Sequence, residues 1–454
     1  MLVLLQWRSY ARRKLRIKVT NMSGQRLKVL VSAYACSPTK GSEPGMGWGW
    51  VEAISKYHDL WIITEKDEFE SEVEAELDKR PELRERMTFF YIAKNRHRTL
   101  RKLWPPSFYW FYRQWHRRAY ELAVELDKEV QFDVCHQLNM IGYREPGYLW
   151  RLNRPFVWGP VGGVGGVPTK FYMALGLRGF FFHSCRNLLN AYQIRFHQRV
   201  KRALRSADVF ITATSTARTI FLRKTGKDSF VINETGRDKS LNFQTKERER
   251  IDTRLVKFSS SGRHISSKAL PIALRALAKL PDRHSWHFDI IGSGPMTTRW
   301  KRLAKKLGIA DNCTWHGWLS QTQATKVVAH SDVFLFTSLY EGTPHAVMEA
   351  LSVGIPVVCF DLCGQKDVVT KECGSKIPAI CPKEAVQDFG SAIEKLVENK
   401  TLLNELSQGA ARFLKSEEHT YETKARLVSE LYEKAIDDFY RTDKSLQSES
   451  TFIS

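Results

Sequence analysis

The 454-residue sequence predicts an α/β protein of two Rossmann-like domains facing each other across a central cleft. Short apolar runs alternate with helix-period stretches almost from end to end, the pattern of parallel βαβ units. The chain is longer than one hydrophobic core usually sustains. The alternation is also interrupted at residues 236–256, GRDKSLNFQTKERERIDTRLV, which carries no sustained apolar face and suits a linker. The expected divisions are an N-terminal extension over 1–25, a first domain over 26–240 and a second over 241–415. A C-terminal helix over 416–440 is expected to pack back on the first domain, followed by a tail over 441–454.

The opening segment MLVLLQWRSYARRKLRIKV is unlike a secretory signal: its apolar run is short, its charges follow that run, and no small-residue cleavage site appears. Two readings stay open for it, an amphipathic surface segment or an upstream start, since Met22 opens MSGQRLKVLVSAYA. The first domain then runs from the strand LKVLVSAYA through a glycine-rich loop to the helix GWGWVEAISKY and the strand DLWIIT. The strands MTFFYIA, FDVCHQL, RPFVWGPV and ADVFITAT follow, mostly separated by helical sequence. In the second domain LVKFSSSG, WHFDIIGSG, CTWHGW, DVFLFTSL and IPVVCFD are strand-like, and ALPIALRALAKL, TRWKRLAKKLG and PHAVMEALSVG are helical. Residues 420–440 form one amphipathic helix, and the tail RTDKSLQSESTFIS is expected to be disordered.

No apolar run approaches the ~20 residues of a membrane-spanning helix. Eight scattered cysteines, with no CxxC pair and no zinc-type spacing to histidine, point to reduced thiols in the cytoplasm. Seventy Lys and Arg against 49 Asp and Glu leave a net charge of +21, which asks for an anionic partner: nucleic acid, an anionic membrane face or a polyanionic substrate. Residues 94–120, KNRHRTLRKLWPPSFYWFYRQWHRRAY, interleave cations with aromatics, and 178–205 repeat the flavour. Such segments can stack bases, seat at a lipid interface, or form core helices with solvated cations. For nucleic acid there is no helix-turn-helix, RNP or zinc signature.

The chemistry concentrates in YEGTPHAVMEALSVGIPVVCF, residues 340–360. Parallel sheets bind ligands beyond the carboxyl ends of their strands, where helix N-termini present unpaired amides. DVFLFTSL ends just before this stretch. Gly342 permits a tight turn, Thr343, Pro344 and His345 open the helix, and Pro344 suits its first turn. Glu341 is then expected at the cleft mouth, and Glu349 inside the helix, placed to accept hydrogen bonds from a diol.

This E-x7-E spacing, followed by ALSVGIPVV, resembles the retaining glycosyltransferases of family 4, which have the GT-B fold. The resemblance implies that Glu341 lies against the donor sugar and that Glu349 holds the nucleotide ribose. GRHISSK supplies Arg263 and Lys268 at the family's spacing, implying two cations that stabilise the departing diphosphate. The family usually has glycine after that lysine, where this chain has Ala269. IIGSGP, with Gly292, matches a family strand end; without a full GxGxxG it does not make a dinucleotide-binding dehydrogenase. Asp367 in CGQKDVV stands where the family has glutamate.

In the first domain SPTKGSEPGMGWGW resembles a subgroup whose first loop reads Gly-Ser-Glu-Pro-Gly, implying that Gly41, Gly45 and Gly47 let the loop approach phosphate and acceptor. His136 closes a strand where family members carry a cleft histidine near the transferred sugar. The glycine loop WGPVGGVGGVP, 158–168, is expected to line the cleft or to be a mobile loop without ligand contacts. No Asp-x-Asp occurs, consistent with the family's metal-independent scheme and no cofactor beyond the nucleotide-sugar substrate.

The expected function is therefore transfer of a sugar from a nucleotide-sugar donor to a glycan or lipid-linked acceptor, in polysaccharide or glycolipid biosynthesis. The expected location is the cytoplasmic face of an anionic membrane, held peripherally and without nucleic acid. A nucleotide-sugar epimerase of similar architecture would need its own acid/base carboxylates. A basic nucleic-acid-binding protein would need a recognition motif.

Overall fold

The computed structural model describes residues 25–94, 107–236, 255–281, 285–342 and 344–451. Almost all of the expected N-terminal extension, most of the 236–256 linker and the candidate Thr343 lie outside the described residues.

The first domain is built from β1 (Lys28–Ala33), α1 (Ser42–Ser55), β2 (Asp59–Glu65), α2 (Lys66–Lys79), β3 (Met87–Ile92), α3 (Ser107–Val130), β4 (Val134–Asn139) and β5 (Phe156–Val161). It continues with α4 (Gly176–Phe196), α5 (Gln198–Ser206), β6 (Val209–Thr212), α6 (Ser215–Thr225) and β7 (Phe230–Val231). Its strands form one parallel sheet in the order β3-β2-β1-β4-β5-β6-β7. Most of the strands are apolar on both faces, as a sheet covered by helices on both sides requires, while β4 buries His136, Gln137 and Asn139. In β1, Val29 and Val31 enter one core cluster and Leu30 the other.

The second domain comprises β8 (Val256–Ser261), α7 (Pro271–Leu277), β9 (Trp286–Ile291), α8 (Thr297–Lys306), β10 (Cys313–Gly317), α9 (Gln321–Ala329) and β11 (Val333–Phe336). It then adds α10 (His345–Ser352), β12 (Val357–Phe360), α11 (Cys363–Val368), β13 (Gly374–Ile377), α12 (Pro382–Glu398) and α13 (Lys400–Lys415). Its sheet, also parallel, has the order β10-β9-β8-β11-β12-β13. The short strands β7 and β13, two and four residues long, sit at sheet edges; neither carries an apolar run long enough to be read locally.

Two expectations are corrected here. The glycine-rich first loop is largely helix: α1 starts at Ser42, with Gly41 as its N-cap. The glycines inside it serve close packing, because a side chain at Gly45 would collide with the Lys40 carbonyl and one at Gly47 with the Ala35 carbonyl. The C-terminal helix does not stop near 440. As α14 it runs over Tyr421–Thr451, through a segment with no Gly or Pro to end it. Ala425, Val428, Leu431, Tyr432 and Ala435 of α14 join the first domain's core beside Val29, Trp50 and Val157.

Candidate functional site at the domain boundary

The loops that follow the carboxyl ends of both sheets meet. Arg186 of α4 lies over the Tyr340 ring, 4.0 Å from its centroid. A Cβ added at Gly342 would come within 3.5 Å of Ile141 Cδ1 and 3.6 Å of Glu234 Oε1. Ser215, the first residue of α6, donates its backbone N–H to Asp367 Oδ2 at 2.8 Å, and its hydroxyl bonds the other carboxylate oxygen. A carboxylate from one domain thus sits at a helix N-terminus of the other, where the helix dipole favours it. Burial nonetheless pushes the Asp367 carboxyl above its usual range, with the Ser215 bonds opposing.

At the centre, Lys268 Nζ and the Glu341 carboxylate form an ion pair, both largely shielded from solvent. Glu341 also accepts from Ser338 Oγ at 2.7 Å. Lys268 ends a 3-10 turn, Ser266–Lys268, tied to the end of β11 at two points: Leu339 N–H donates to the Ser267 carbonyl (2.9 Å), and Thr337 Oγ1 to the Lys268 carbonyl (2.8 Å). The turn is closed by Ala269 at φ 45°, ψ 32°, the left-handed region that glycine prefers. The residue type at which this chain departs from the family pattern therefore holds a glycine conformation.

Arg263 is exposed and lines a small pocket with Gly262, Lys268 and Ser338. Gly292, at φ +114°, allows the ends of β8 and β9 to close: a Cβ there would collide with the Gly262 carbonyl. Glu349 does not touch the Lys268–Glu341 pair. It accepts from Gln321 Nε2 at 2.9 Å, and burial raises its carboxyl. Gln321 in turn faces the first domain, with its Oε1 4.0 Å from where a Gly41 Cβ would be. Pro344 is the N-cap of α10 rather than a first-turn residue, and His345 opens the helix. Burial pushes the His345 ring below its usual range while Glu341 pulls it upward; across the boundary Thr235 Oγ1 lies 3.4 Å from its Nδ1.

His136 is a correction. It lies in the middle of β4, fully buried, with Nε2 2.7 Å from the Gly159 carbonyl and Nδ1 2.6 Å from Tyr432 Oη. Because a carbonyl only accepts, Nε2 carries the proton and Nδ1 accepts from the tyrosine. Burial lowers this ring to about 4, so it stays neutral. It joins β4, β5 and α14 and faces no cleft. The carboxyl end of β4 is Asn139, and the residue beyond it that reaches the boundary is Ile141.

Several boundary residues carry no sequence signal that sets them apart. Glu43 sits in the Gly-Ser-Glu-Pro-Gly motif, and its Oε1 accepts from the Ile141 N–H at 2.9 Å. Lys424 of α14 is buried and donates to the carbonyls of Asn233 (2.9 Å) and Thr235. Nothing in a terminal amphipathic helix signals that one of its lysines reaches the domain crossover. Of the 94–120 segment, residues 95–106 lie outside the described residues. In the remainder Tyr112, Trp115 and His116 are core, while Tyr109 and Trp110 are exposed. In the 158–168 loop Gly165 approaches Tyr340, within 3.5 Å of an added Cβ.

The fold has counterparts among known proteins. Residues 242–413 match the family model of Glycosyl transferases group 1. An uncharacterized glycosyltransferase of Methanocaldococcus jannaschii is 27% identical over 143 residues, 32% of this chain and 36% of that protein. The lipopolysaccharide 1,6-galactosyltransferase of Salmonella typhimurium is 31% identical over 87 residues, 18% of this chain and 24% of that protein. The chain thus matches only about a quarter to a third of the length of these relatives. Among solved structures, the lipopolysaccharide outer core galactosyltransferase WaaB superposes with TM-score 0.57 at 15% identity, covering 89% of this chain and 100% of that one. The Anabaena HepE protein, solved with UDP and glucose, gives TM-score 0.53 at 15% identity, covering 89% and 99%. The chain has the GT-B fold, two parallel-sheet α/β domains about a cleft.

Proposed function

We propose that the chain is a retaining glycosyltransferase that moves a sugar from a nucleotide-sugar donor to a hydroxyl of a glycan or lipid-linked acceptor. We place it in cell-surface polysaccharide or glycolipid biosynthesis, held peripherally at the cytoplasmic face of the membrane. The observation that carries the reading is the Lys268–Glu341 pair beside Arg263, at the carboxyl ends of β8 and β11, within the segment that matches group 1 glycosyltransferases. Two named lipopolysaccharide enzymes among the similar proteins support the biosynthetic setting. Among the described residues no helix is long and apolar enough to cross a membrane.

In this reading Arg263 and Lys268 hold the donor diphosphate. Charge accumulates on it as the glycosidic bond breaks, and preorganised cations lower that barrier. Without donor, Lys268 is neutralised by Glu341. Arrival of the diphosphate gives Lys268 a stronger anion and frees Glu341 to accept from a sugar hydroxyl. Glu349 accepts from the ribose in exchange for Gln321. A phosphate oxygen of the leaving group takes the proton of the attacking acceptor hydroxyl. The two glutamates act as clamps and no side-chain nucleophile is assigned. The test is a thermal-shift panel of UDP-, GDP- and ADP-linked sugars, followed by product analysis with the stabilising donor. Absence of stabilisation by every donor overturns the reading.

A further inference from the structure

Helix α4 is inside out. Leu177, Phe181, Leu188 and Tyr192 recur along one face at helical intervals, flanked by Phe182 and Leu189, and each is more than half exposed. The opposite face carries the polar side chains. His183 and Asn190 are buried, Asn187 bonds the Tyr172 hydroxyl and the Val167 carbonyl, and Gln193 accepts from Arg144 Nε at 2.8 Å. In a helix that only has to cover a soluble domain, the two faces would be exchanged. So large an exposed apolar face marks an interaction surface.

Charge identifies the partner. From Pro146 to Ala207 the chain has ten Lys and Arg and no Asp or Glu. The exposed cations bracket the stripe, with Lys170 before it and Arg195, Arg202 and Arg205 after it. The second domain adds Arg299 at the helix start, packed against Gly176. A second copy of this chain would bring the same unbalanced cations face to face, whereas an anionic bilayer complements them. An apolar stripe bordered by cations, with aromatics along it, is the composition of a helix lying in the plane of the lipid interface.

We infer that α4 is the membrane-docking element: it lies on an anionic bilayer with its apolar stripe among the acyl chains and the flanking cations on the headgroups. The same helix presents Arg186 to Tyr340 on its protein side, next to Glu341. The cleft mouth therefore stands one helix width from the lipid, within reach of an acceptor that stays anchored there. The inference rests on the proposed membrane location and not on the donor assignment.

The experiment is flotation of the full chain with vesicles of pure phosphatidylcholine or with about 30% phosphatidylglycerol. Strong flotation with the anionic vesicles only is expected. F181S/F182S/L188S should abolish it, and R202E/R205E should weaken it about tenfold or more, because each substituted position loses its attraction to the anionic headgroups. All substituted residues are exposed, so unfolding temperature and donor-induced thermal shift should stay as in the parent chain. Undiminished flotation of the triple variant overturns the inference, as does a parent chain that ignores anionic vesicles. Sedimentation as a dimer without lipid, reverting to monomer in the triple variant, would assign the face to a second copy instead. A missing donor shift with intact flotation would overturn the donor reading and leave the docking helix standing.

Discussion

Lys268 and Glu341 face each other as an ion pair between the turn after β8 and the loop after β11, with Ser338 Oγ as a second donor to the carboxylate. They stand 73 residues apart in sequence and belong to two loops that the parallel sheet brings together. Under the proposed mechanism this contact is the resting state of the donor site. Lys268→Ala is expected to lower kcat/KM by about 10²–10³-fold, the scale for losing one preorganised stabiliser of developing charge. Glu349→Ala should abolish measurable turnover mainly through lost donor binding. Steady-state kinetics with thermal unfolding as a folding control checks both, and retained activity in both variants refutes the site assignment.

Ala269 occupies the left-handed region at φ 45° with a buried methyl. Replacement by glycine relieves a strain of about 1–2 kcal/mol but forfeits about 0.8 kcal/mol of methyl burial and adds unfolded-chain entropy. Ala269→Gly should therefore shift the unfolding temperature by less than about 2 °C. Ala269→Val puts a β-branched residue where φ is positive and should cost about 2 kcal/mol or more, measurable by denaturant titration.

His136 carries packing, not chemistry. His136→Ala should destabilise by about 2–4 kcal/mol, since it empties a buried site and strips partners from Tyr432 Oη and the Gly159 carbonyl. The donor-induced thermal shift should persist in the folded fraction. Because burial holds the ring at about 4 in the fold while the unfolded chain titrates near its ordinary 6.5, the unfolded state binds more protons in between. Its contribution is complete above 6.5 and is lost as pH falls toward 4. Denaturation midpoints across that window, parent chain against His136→Gln, check the sign.

Lys424 works in the opposite pH range. Burial lowers its ammonium to about 7, with Glu234 pulling it upward. Between about 7 and the ordinary lysine value of 10.5 the unfolded chain again binds the extra proton, so stability from this group rises as pH rises through that window. Lys424→Met should flatten the rise relative to the parent chain, measured as the difference between their denaturation midpoints at pH 7 and pH 9.5.

Much of this architecture was legible locally. Strands such as Val333–Phe336 and Val357–Phe360 are apolar on both faces, and only a parallel sheet covered on both sides accommodates that. The placement of Glu341 on the loop after a strand and of Glu349 inside the following helix was likewise legible from the strand-loop-helix frame, whereas Arg263 and Lys268 stood out only through the family resemblance. Gly45, Gly47 and His136 were not legible in this way, because a glycine that admits a ligand and one that admits a neighbouring backbone look the same in a sequence. A buried histidine and a cleft histidine are equally indistinguishable.

The sequence by itself determined the two α/β halves and the cationic excess, since each follows from periodicity or composition. Tertiary structure alone decided that Lys268 meets Glu341 while Glu349 turns to Gln321. It also decided that His136 is sealed under α14, that Lys424 reaches the domain crossover, and that the apolar face of α4 points outward. Those outcomes depend on which surfaces the chain buries against each other across hundreds of residues, and no local pattern of side chains encodes which way a finished helix will face.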